Sequence, residues 1–150
     1  MSTILRNSTL LAIVALLALA LGQPGGARAA GGYKVIVHPS NPDSSLSRDH
    51  LVRYFLKKST AWPSGRAVVP VDQEKGSATR AAFSRDVLHK SVAEVTAYWQ
   101  QQIFSGRAVP PPERRSDAEV VAFVEAAEGA IGYVSADAAV GDAKVVRLVD

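Results

Sequence analysis

The chain has 150 residues, 47% of them hydrophobic, with 17 basic and 14 acidic side chains and no cysteine, enough for one domain with a modest core. The missing cysteine excludes disulfides, a thiolate nucleophile and a thiolate metal site. Arg6 and Arg28 are the only charges in residues 1–29, so the formal net charge of +3 falls to +1 (15 basic against 14 acidic) over residues 30–150, and no basic stripe there suits nucleic acid.

Residues 1–29 read as an export signal. Arg6 supplies the positive start, Leu10 to Leu21 is an unbroken run of 12 apolar residues, and Ala27-Arg28-Ala29 has the small-x-small form of a signal-peptidase site. A bilayer span needs about 20 apolar residues, so cleavage after Ala29 is expected. No cysteine is present for a lipid anchor. Residues 30–150 are then expected as one periplasmic or secreted domain without a stable membrane anchor.

Along that domain, Tyr33 to His38 is β-branched and apolar and ends at Pro39, which predicts a buried first strand. Asn41-Pro42-Asp43-Ser44-Ser45 is turn chemistry. Ser47 then caps a helix carrying Leu51, Val52, Phe55 and Leu56, with Leu46 placed to staple its start. Trp62-Pro63-Ser64-Gly65 predicts a tight turn and Val68 to Val71 a short strand. A helix over 79–88 follows the loop Gly76-Ser77-Ala78-Thr79.

Ser91-x-x-Glu94 and Ser116-x-x-Glu119 are capping boxes for two more helices, separated by the stiff Pro110-Pro111-Pro112. Gly129 to Val134 turns the chain into a strand, and Val145 to Val149 supplies the last. Strands alternating with helices predict an α/β fold, with the apolar first and last strands covered on both faces. Phe55, Trp99, Phe123 and Ile131 are the expected core; Trp62, Tyr98 and Phe104 are expected to pack in the core and its loops.

The loop at residues 76–79 is the main candidate site. It joins a strand to a helix start and sets free backbone N–H groups, the hydroxyls of Ser77 and Thr79, and Arg80 at one spot, which suits an anion. A plain N-cap explains the same residues. His38, His50 and His89 lack ligand spacing on any one element, so neither metal nor cofactor is expected. Ser40, Ser77 and Ser135 lack a nucleophile elbow and an assignable His–carboxylate partner, so no enzyme is expected.

The ordered landmarks Leu51-Val52-Arg53-Tyr54-Phe55-Leu56, Trp62-Pro63-Ser64-Gly65-Arg66, Val68-Val69-Pro70-Val71, Gly76-Ser77-Ala78-Thr79 with Phe83, Tyr98-Trp99, Phe104-Ser105-Gly106 and Gly129-Ala130-Ile131-Gly132-Tyr133-Val134 carry a resemblance. Together they resemble the phosphate-binding proteins of bacterial ABC importers, within the periplasmic-binding-protein class. The resemblance implies one lobe of that fold, a central mixed sheet flanked by helices. It also implies phosphate or a related oxyanion held by Ser77, Ala78, Thr79 and Arg80, with an ABC permease or another envelope protein as partner. Three departures stand out: the family's glycine after Phe-x is Lys57, its Ser-Gly-Thr loop reads Ser77-Ala78-Thr79, and its preceding arginine is Gln73. The chain is also about half as long as a two-lobed binder. A module of the same fold that has lost its ligand and binds an envelope protein, or an accessory that senses an oxyanion weakly, fits the same residues.

Overall fold

The computed structural model describes residues 32–150, so the export signal expected at 1–29 and its cleavage site lie outside the described residues. Strands and helices are interspersed in the chain order β1 (Tyr33–Val37), β2 (Ser45–Ser47), α1 (Arg48–Phe55), β3 (Val69–Pro70), β4 (Asp72–Gln73), α2 (Ala78–Phe83), α3 (Val92–Phe104), β5 (Glu113–Arg114), α4 (Asp117–Ala126), β6 (Ala130–Ser135) and β7 (Lys144–Val149). One π turn, Ser84–Leu88, extends α2 and ends at His89 in the left-handed region. No described helix is long and apolar enough to cross a membrane.

Five strands form a mixed sheet ordered β2-β7-β1-β6-β3. β1 runs antiparallel to β6 and β7, whereas β2 lies parallel to β7 and β3 parallel to β6. The period-2 alternation of β1 and β6 divides the core. Val35, Val37, Ile131 and Tyr133 face the side packed by Leu51, Tyr54, Phe55, Phe83, Val95 and Trp99. Ile36, Ala130 and Val134 face the side packed by Val120, Val121 and Val124 of α4. Gly132 sits on that second side, where an added Cβ would lie 2.8 Å from methyls of both Val71 and Val120. Glycine is required there by close approach.

Local signals place most elements as expected. Ser47 accepts from the His50 amide, and Ser91 and Glu94 form the full reciprocal capping box. At α4 only half the expected box forms. Ser116 accepts from the Glu119 amide, but the Glu119 carboxylate accepts from Arg115 N, one residue before the cap. Leu46 is buried in the middle of β2 opposite Leu148, so the residue expected to staple α1 is part of the sheet instead.

Three further expectations are corrected. β7 is covered on one face only: Val146 is buried, but Val145 and Val149 are exposed, because α4 packs over β6 and β1 and leaves that face of β7 open. Phe123 is half-buried, with the Arg114 guanidinium 4.8 Å above its ring, while Phe55, Trp99 and Ile131 are buried as expected. Phe104, expected among packing groups, is 95% exposed at the end of α3.

The two-residue ribbon β4–β5 is not legible as strand in the sequence. Its parallel register sets Asp72 against Glu113 and Gln73 against Arg114. This ribbon brings the segment after Pro110-Pro111-Pro112 alongside the candidate loop: Asp72 N donates to Pro112 O at 2.9 Å, and Glu74 N to Arg114 O at 3.0 Å.

Candidate oxyanion site

The loop forms because β4 ends in a turn at Glu74–Gly76 and Ser77 caps the helix beyond it. Ser77 N donates to Glu74 O at 3.0 Å, and Ser77 Oγ accepts from Arg80 N at 3.1 Å. Ser77 Oγ in turn donates its proton to Gln73 Oε1. That hydroxyl is therefore committed internally at both ends.

The next two residues are different. The backbone amides of Ala78 and Thr79, the first two residues of α2, have no intramolecular partner among the described residues. Ala78 is exposed, and Thr79 is half-exposed with no hydrogen bond to its hydroxyl. Lys75, three residues before Ala78 in the same loop, is exposed and has no carboxylate within ion-pair distance among the described residues. Two amides, one hydroxyl and one ammonium remain free to meet an anion.

Arg80 points the other way. It is 2% exposed; its Nη1 donates to Gln73 O at 2.6 Å and to Glu113 Oε1 at 2.7 Å, and its Nη2 lies 3.2 Å from Asp72 Oδ2. Nε has no partner. Desolvation works against the buried guanidinium, but Asp72 and Glu113 outweigh it and hold its pKa above the ordinary arginine value. The charge expected to face a ligand is answered from inside the protein.

Asp72 belongs to a wider buried network that sequence reasoning misses. Tyr133 OH donates to Asp72 Oδ1, and Gln73 N donates to the same oxygen at 2.9 Å. Burial pushes the Asp72 carboxyl up, against the opposite pull of Arg80 and Tyr133. Burial, then the Asp72 charge, also raises the Tyr133 phenol.

Gln73, standing where the family resemblance expects arginine, is buried. Its Nε2 donates to Asp117 Oδ1 at 2.8 Å and to Tyr133 O at 3.1 Å. Asp117 also accepts from Ser135 Oγ and from Ser135 N. Every hydrogen-bonding atom of the Gln73 amide group is thus directed inward or to Ser77, linking β4, α2, α4 and β6. An acidic residue at the polar end of an otherwise apolar strand, as in Val71-Asp72-Gln73, is the one sequence signal for this cluster.

The three histidines do not converge. His38 Nδ1 pairs with Ser40 Oγ and His50 Nδ1 with Ser47 Oγ, each within its own turn, and His89 closes the π turn. Among the described residues no group of three or more His, Cys, Asp or Glu side chains is arranged to hold a metal.

With the fold and this loop in place, the chain is assigned to a class: residues 29–147 match the PBP superfamily domain, and the protein belongs to that family. No curated protein matches it. Among solved structures it is similar to one from Clostridium perfringens assigned as a phosphate ABC transporter substrate-binding protein, with phosphate bound. That match has 24% identity and a TM-score of 0.62, covering 78% of this chain and 44% of the other. It is also similar to an ABC-type phosphate transport receptor from Vibrio cholerae, at 19% identity and TM-score 0.59, covering 78% and 46%. A third is PstS from Borrelia burgdorferi, at 11% identity and TM-score 0.60, covering 78% and 47%. These likenesses establish the periplasmic-binding-protein-like fold, and the chain spans under half the length of each of these structures.

Proposed function

We propose that this chain is an exported solute-binding protein of the phosphate-transport type that holds phosphate or a related oxyanion at the start of α2. The observation that carries this reading is the pair of unpartnered amides at Ala78 and Thr79, flanked by the free Thr79 hydroxyl and by Lys75. Donors fixed by the helix start lose little freedom on meeting an anion. Ser77 and Arg80 have positioning roles in this account: Ser77 caps the helix, and Arg80 ties the loop to β4 and β5. Charge balance falls to Lys75. The bound phosphate of the Clostridium perfringens structure supports the class of ligand. The domain is residues 30–150, acting outside the cytoplasm after loss of residues 1–29, with an ABC permease or another envelope protein as partner. Its role is binding, with no chemical step.

Held by these donors alone, without the bidentate fork of an arginine, the anion binds with a dissociation constant of about 1 μM or weaker. Titration calorimetry of the protein with phosphate and with sulfate tests this. The expected result is measurable heat with at least one anion, weakened about tenfold or more by Thr79→Ala, in line with the loss of one hydrogen bond to a charged group. Binding indifferent to Thr79→Ala would move the site elsewhere.

A second reading rests on the Gln73–Asp72–Arg80 network. By neutralising the arginine and turning Gln73 inward, the chain has the features of a lobe that binds an envelope protein without a ligand. Absence of heat with either anion at about 1 mM would favour it.

A further inference from the structure

Arg80 leaves one donor unanswered. Gln73 O, Glu113 and Asp72 meet its Nη1 and Nη2, but Nε has no partner among the described residues, although the residue is 2% exposed. A buried N–H without an acceptor costs stability unless something outside the chain meets it. The same residue lines a recess of about 150 Å³ between α3 and the Pro110–Pro111 turn. Space of that order holds a benzene-sized group and is smaller than the pockets of drug-sized ligands.

Two cations, Lys75 and Arg80, and two carboxylates, Asp72 and Glu113, line this recess, so it carries no net charge. Part of that charge is still open to a ligand. Lys75 has no ion-pair partner among the described residues, and the Glu113 carboxylate, 40% exposed, meets Arg80 through Oε1 and leaves Oε2 without a bond. The Arg80 Nε–H, the Lys75 ammonium and Glu113 Oε2 therefore offer two donors and one charged acceptor. Trp99, Ile103 and Pro110 add apolar lining. A plain anion would face two carboxylates here, and a plain cation would face Lys75 and Arg80; such like-charge contacts are costly. A dipolar molecule meets both signs at once.

We infer that the recess binds a small apolar α-amino acid as its zwitterion. The carboxylate accepts from Arg80 Nε and Lys75, the ammonium donates to Glu113 Oε2, and the short side chain packs on Trp99, Ile103 and Pro110. An α-amino acid carries both charged groups on one carbon, which suits a recess of this volume. The inference does not rest on the oxyanion reading, with which it shares Lys75 but not the Ala78 and Thr79 amides.

NMR titration of the purified protein with L-valine tests it, read at the Arg80 Nε–H and the Trp99 indole N–H. Both signals should shift saturably with one midpoint, at about 0.1–1 mM for a ligand of this size. Isovalerate, which lacks the ammonium, and isobutylamine, which lacks the carboxylate, should each bind about tenfold or more weakly, having lost charged hydrogen bonds. Gln100→Trp, which fills the recess from an exposed position, should abolish the valine shifts while leaving the circular dichroism spectrum unchanged. No saturable shift at Arg80 Nε–H with valine up to about 10 mM would overturn the inference. So would isovalerate or isobutylamine binding as tightly as valine, or valine shifts that persist in a folded Gln100→Trp variant.

Discussion

A guanidinium with 2% exposure needs its charge answered from within, and Arg80 has two carboxylates and a carbonyl to do so. The two carboxylates differ in weight. Asp72 is itself buried, whereas the Glu113 side chain is 40% exposed and screened by water. Removing the arginine alone leaves Asp72 as an uncompensated buried charge. Arg80→Ala is therefore expected to cost about 3–5 kcal/mol, and Arg80→Met combined with Asp72→Leu should cost clearly less, because it removes both charges. Urea denaturation of the single and double variants checks this; a single variant within about 1 kcal/mol of wild type would show that the network is not a structural clamp. Arg80 also shows what a sequence cannot reveal about a charged residue. Its position after Ser77 and Thr79 places it in the loop, but whether a long side chain turns outward or inward depends on the carboxylates brought near it by β4 and β5.

At the scale of elements, what is legible depends on how local each signal is. The caps at Ser47, Ser77 and Ser91 and the helices behind them depend on residues within one turn, and they appear where the sequence places them. β2 and β5 depend on distant partners, β7 for the first and β4 for the second, and nothing in Ser45-Leu46-Ser47 or Glu113-Arg114 announces a strand. The departure at Lys57 gains a physical meaning in the structure. Lys57 has φ of +52° just past α1, where the Lys58 amide reaches back to Arg53 O at 2.8 Å. The family's glycine suits that left-handed turn, and lysine strains it. Left-handed backbone costs a side-chain-bearing residue about 1–2 kcal/mol, and glycine loses about 0.4–1 kcal/mol through its freer unfolded chain. Lys57→Gly should then stabilise the protein by about 0.5–1 kcal/mol in the same denaturation experiment. A loss of stability would mean that the Lys57 side chain makes contributions larger than its backbone strain.

Taken whole, the described residues have the fold of one lobe, and the chain spans under half the length of its solved neighbours. Its sheet, two-sided core and glycine-tight packing of α4 on β6 account for why the landmarks occur in the order they do: Trp62 Nε1 donates to Gly129 O at 3.0 Å, and Phe83 stacks on Tyr133 with ring centres 4.0 Å apart. The landmark residues of the family are thus chiefly the ones that join distant segments, which is why the fold is readable from them and the ligand chemistry is not. What remains specific to binding is small: the Ala78 and Thr79 amides, the Thr79 hydroxyl and Lys75. The central claim is that an oxyanion meets those donors. The most direct measurement is a phosphate titration followed by amide nitrogen–proton NMR. The account predicts saturable downfield proton shifts that are largest at Ala78 and Thr79, with the same midpoint at both. Shifts absent from these two amides, or spread evenly over the surface without saturation, would contradict it.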